Sequence, residues 1–74
     1  MSQNLVQLIS VELRGRGCKT VKSLFWNVDR ANLSVFARGH TLEKPRSFNY
    51  APSVDLSVAE IADEVERRCN EIAE

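Results

Sequence analysis

From Asn4 to Leu13 apolar and polar residues alternate: Leu5, Ile9, Val11 and Leu13 fall on one side with Gln7, and Val6, Leu8, Ser10 and Glu12 on the other. Period-two alternation with β-branched residues predicts a strand over 4–13. Arg14-Gly15-Arg16-Gly17 then reads as a turn, because glycine adopts positive φ at no steric cost. A second strand is predicted over 20–28. Leu24, Trp26 and Val28 share one face, and Val21, Ser23, Phe25 and Asn27 the other. Asp29-Arg30-Ala31-Asn32 is a turn, and a third strand over 33–38 points Leu33, Val35 and Ala37 inward and Phe36 outward. Pro45 and Pro52 bracket an optional fourth strand over 46–51, placed at the sheet edge where a neighbouring proline is tolerated.

The last segment predicts a helix over 58–73. Ser57 and Glu60 have capping-box spacing, and Leu56 and Ile61 have hydrophobic-staple spacing. At 3.6 residues per turn, Val58, Ile61, Ala62, Val65, Cys69, Ile72 and Ala73 form one apolar arc. Asp63 with Arg67, and Glu64 with Arg68, stand four residues apart as ion pairs.

Together these elements predict an α+β domain: a three- or four-stranded antiparallel β-meander with one C-terminal amphipathic helix packed on one face. The expected core is Leu5, Ile9, Val11, Leu24, Trp26, Val28, Leu33, Val35, Ile61, Val65 and Ile72. One helix covers one side of the sheet. The other side would then carry Val6, Leu8, Val21, Phe25 and Phe36, more apolar than a solvated face normally is. Val6, Leu8, Phe25 and Phe36 are therefore the expected interface of a self-associating protein, with a dimer favoured.

Seventy-four residues make a single domain with a thin core. The first residues carry neither a basic segment nor a long apolar run, so neither a signal peptide nor a membrane span is expected. A cytoplasmic location follows, with Cys18 and Cys69 reduced. The net charge is zero, yet residues 1–50 hold eight basic against three acidic groups, and residues 51–74 hold seven acidic against two basic. Two surfaces of opposite sign are implied.

Catalytic patterns are missing. His40 is the only histidine, and no nucleophile elbow, zinc-protease helix or phosphate-binding glycine loop accompanies it. Neither cysteine has a metal-ligand partner at short spacing. We therefore expect no enzyme, cofactor or metal. The most suggestive cluster is Arg14, Arg16, Lys19 and Lys22 around the glycine turn, where cations and flexible backbone suit phosphate. Trp26, Phe25 and Phe36 on neighbouring strands offer stacking surfaces for bases. The leading expectation is a non-enzymatic protein-interaction module, a self-associating regulator or adaptor that docks on another protein. The alternative is a small nucleic-acid-binding protein using the basic Arg14–Lys22 loop.

Overall fold

The structure is a computed structural model describing residues 2–72. Its elements are α1 (Ser2–Gly15), β1 (Val21–Asn27), β2 (Asn32–Ala37), β3 (Ser47–Tyr50) and α2 (Val58–Ile72). The strands form one antiparallel sheet in the order β1-β2-β3. The α+β class, the meander and the C-terminal helix packed against the sheet are as expected, and the optional strand over 46–51 is β3. The predicted last residue of the helix, 73, lies outside the described residues.

The N-terminal segment is the correction. The predicted strand over 4–13 is helix α1. Leu5, Ile9 and Leu13 recur every four residues, and that spacing makes one helical stripe. Ile9 and Leu13 are buried, and Leu5 and Val6 pack against them. Val11, placed inward by the strand register, is 64% exposed, and Leu8 is 54% exposed.

The glycines that resembled a turn cap this helix. Cys18 N donates to Leu13 O and Gly17 N donates to Arg14 O, both at 3.0 Å, while Gly17 sits at φ +71°. This is a Schellman cap, which satisfies the last carbonyls and needs a left-handed residue that glycine supplies. Leu13 and Cys18, at the two ends of that cap, both join the core.

Helix α2 starts as its sequence directs. Ser57 Oγ accepts from Glu60 N at 3.2 Å, and Glu60 Oε1 accepts from Ser57 N at 3.0 Å. Ile61, Ala62, Val65 and Cys69 are buried. Arg68 lies over the rings of Phe48 and Tyr50, 5.3 and 5.2 Å from their centroids, which seats α2 on β3.

Arg16 ties the two helices together. Its guanidinium donates to Glu12 Oε2 at 2.9 Å, to Asp63 Oδ1, and to Ala59 O at 3.1 Å. These partners, Glu12 first and then Asp63, hold its proton more firmly than in a free guanidinium.

Strand β1 carries a bulge between Val21 and Ser23. An extra residue there shifts the alternation. Val21, expected on the outer face, consequently packs against the core, while Val28, expected inside, falls past the strand end and is 78% exposed.

Cys69 is fully buried, and burial, with Cys18 a lesser contributor, pushes its thiol up to about 11. In the unfolded chain this thiol ionises near pH 8.5, so the folded state holds the proton longer. Its stabilising contribution is complete below about pH 8.5 and disappears as pH rises to about 11. Unfolding by urea should therefore become easier by roughly 2–3 kcal/mol across that window. Tyr50, raised chiefly by burial, acts in the same direction. Cys69→Ala should make the decline shallower, and an equally steep decline in that variant would clear Cys69 of the effect.

Candidate functional site

Both helices cover the same side of the sheet, because the buried residues Leu33, Val35 and Ala37 of β2 alternate with its outward ones. The other side is open. Its residues form rows across the strands. Ser23, Phe36 and Ser47 make one row, Phe25, Ser34 and Asn49 the next, and Asn27 and Asn32 the third. Phe25 is 56% exposed and meets Phe36 edge to face, with centroids 5.4 Å apart. His40 stands edge to face on Phe36 at 4.9 Å. The open face thus carries an aromatic patch set among serines and asparagines.

The expected interface is divided by this arrangement. Phe25 and Phe36 share the open face, as expected. Val6 and Leu8 do not, because they belong to α1 on the opposite side of the sheet. With Val21 also turned inward, the open face is far less apolar than the sequence implied.

Antiparallel pairing brings the start of β1, the end of β2 and the start of β3 to one end of the sheet. Lys19, Lys22, Arg38 and Lys44 are exposed there. Arg38 reaches back, its Nη1 donating to Lys19 O at 3.5 Å. Glu43 is the one acid in the segments 16–22 and 38–47. Of the predicted phosphate-binding set, Arg14 and Lys22 line a common hollow of about 250 Å³ beside β1. Lys19 is exposed close by, whereas Arg16 is held by Glu12, Asp63 and Ala59 and is removed from the set. Sequence reasoning missed Arg38 and Lys44, since only the sheet topology brings residues so distant along the chain to one edge.

His40 has a structural partner. Its Nδ1 accepts from Arg46 N at 2.9 Å, which closes the β2–β3 connection around Gly39 at φ +90°. The ring nitrogen that would serve as a base is thus engaged with backbone. Among the described residues no cluster of three or more His, Cys, Asp or Glu could hold a metal ion, and no helix is long and apolar enough to cross a membrane.

The acidic face of α2 is paired partly within itself and partly with Arg16. Arg67 bridges Glu64 and Glu71 at 2.5 and 2.7 Å, and Arg68 reaches Glu64 at 2.6 Å. Those contacts, the Arg68 hydrogen bond foremost, hold the Glu64 carboxyl below the usual carboxylate range. The expected pair of Glu64 with Arg68 is present. Asp63 faces Arg16 instead of Arg67.

No family model, curated protein or solved structure matches this chain.

Proposed function

We propose that this protein is a non-enzymatic binding module that holds single-stranded nucleic acid along the open face of its sheet. The observation that carries the reading is the Phe25–Phe36 pair on the helix-free face, Phe25 exposed and Phe36 half-buried beside it, continuous with the cationic end at Lys19, Lys22, Arg38 and Lys44. Exposed rings stack on bases of any sequence, and nearby cations neutralise the backbone. Serines and asparagines between the rings add polar contacts without an apolar surface that would drive aggregation. A cytoplasmic location, where Cys18 and Cys69 stay reduced, is compatible with this reading.

A self-associating adaptor for another protein is the second reading. It is favoured by Leu8 and Val11, exposed on α1 beside Asn4 and Gln7. The open face offers it less, since two rings fall well short of the roughly 800 Å² per partner that a stable interface buries.

The test is anisotropy titration of labelled single strands of about twelve nucleotides, DNA and RNA, with the matching duplexes beside them. Single strands should bind at micromolar concentrations in about 50 mM salt, more tightly than duplexes. Phe25→Ala should weaken that binding about tenfold, the loss of one stacked base. No single-strand binding at low salt, or binding indifferent to Phe25, would overturn the reading. A protein that fails to bind yet elutes as a dimer from a sizing column, and as a monomer once Leu8 and Val11 are changed to Ser, would establish the second reading.

A further inference from the structure

We propose that the hairpin end of the open face is a guanine-reading subsite. The inference rests on the single-strand reading above and names the base that the platform prefers. A hollow of about 350 Å³ opens there, lined by Trp26, Asp29, Arg30, Ser34 and Asn49 among others. It adjoins the aromatic patch directly, because Phe25, Ser34 and Asn49 stand in one row across the three strands.

A chain of hydrogen bonds sets the polarity of that row. Asn27 Nδ2 donates to Asn32 Oδ1 at 2.8 Å and also to Ser34 Oγ. Ser34 Oγ, already an acceptor, donates onward to Asn49 Oδ1 at 2.9 Å. The amide of Asn49 is thereby oriented. Its oxygen is taken, and its nitrogen keeps two hydrogens with no partner among the described residues. Arg30 adds further donors to the same wall. Asp29 supplies the opposite chemistry, an exposed carboxylate that makes no ion pair or side-chain hydrogen bond among the described residues.

One nucleobase matches that combination. A carboxylate presents two acceptors side by side, and guanine is the base with two adjacent donors, the ring N1–H and the exocyclic amine. Guanine also carries two acceptors, O6 and N7, which suit amide and guanidinium donors. Adenine, cytosine and uracil each lack the paired donors that Asp29 would accept from. The hollow is roomy enough for a purine.

The experiment compares labelled hexanucleotides that differ at one central position, a uridine background carrying U, A, C, G or inosine. The G-containing strand should bind about tenfold tighter than the others, and inosine, which lacks the exocyclic amine, should lose most of that advantage. Asp29→Asn should abolish the preference for G without weakening the all-U strand. Removing a negative charge would by itself strengthen every strand, so the lost preference separates base reading from general electrostatics. Asp29 lies in an exposed turn, and circular dichroism checks that the variant folds. Equal binding of all the hexamers would overturn the subsite while leaving the single-strand platform standing. A preference for G that persists in Asp29→Asn would overturn the assignment to this hollow. No binding of any hexamer would overturn both.

Discussion

Val65→Asp is expected to unfold the domain at room temperature. Val65 is fully buried, in one core cluster with Ile61, Ala62 and Cys69 of its own helix, Leu33 and Val35 of β2, and Ile9 and Leu13 of α1. A carboxylate placed there loses its water and meets no cation, since among the described residues no charged or polar one is buried in the core. The uncompensated charge costs several kcal/mol, and protonating it instead still leaves a buried polar group without a partner. A chain of this length has about 4–11 kcal/mol of total stability, so the deficit consumes most or all of it. Far-UV circular dichroism and urea titration provide the measurement. Val65→Ala, which deletes two methyl groups, should cost about 2 kcal/mol and leave a folded protein. Asn70→Asp, on the exposed arc of the same helix, should change stability by less than about 0.5 kcal/mol. A folded Val65→Asp with an unshifted midpoint would remove this helix face from the core.

The same core shows why part of the fold was legible and part was not. In α2 every signal agrees. The Ser57–Glu60 box, the Leu56–Ile61 staple and the apolar arc all point to one helix starting at one place. In α1 two periodicities overlap. Leu5, Ile9 and Leu13 satisfy both a strand and a helix, because residues four apart also share a strand face. Val11 tips the pattern toward a strand, yet it lies on the wet side of the helix. The available signals against a strand were its ten-residue length and the cap. A strand usually runs four to eight residues, whereas Arg14 in a last turn followed by a left-handed Gly17 is a helix ending. In β1 the bulge near Lys22 moves Val21 to the core side, a one-residue effect that simple alternation cannot register.

The candidate site divides in the same way. Phe25 and Phe36 were legible because strand alternation fixes faces locally. The cationic end was legible only as the local cluster from Arg14 to Lys22. Its other half, Arg38 and Lys44, arrives through chain reversal between β2 and β3. The loss of Arg16 from the cluster depends on where α1 crosses α2, which no short-range pattern encodes. The asparagine and serine ladder is likewise a product of register, since it joins residues on three strands.

Lys22→Glu combined with Arg38→Glu is expected to abolish single-strand binding at physiological salt while leaving the fold intact. Both side chains are exposed at the cationic end, and neither forms an ion pair among the described residues. Binding that neutralises about four phosphates releases their counterions, giving a slope near −2.8 for log affinity against log salt on a single strand. The native protein should then lose roughly 50-fold in affinity between about 50 and 200 mM salt. Removing two of the four contacts halves the slope, and two introduced carboxylates repel the backbone besides. The double variant should therefore bind at least about a hundredfold more weakly at low salt and respond less to added salt. Phe25→Ala should behave differently: it weakens binding at every salt concentration and keeps the native slope, because a stacked ring displaces no counterions. That contrast identifies which contact each residue makes. A double charge reversal that keeps the native slope would move the phosphate path away from this end of the sheet, and a loss of slope in Phe25→Ala would mean that the ring holds the cationic edge in place and does not itself meet the bases.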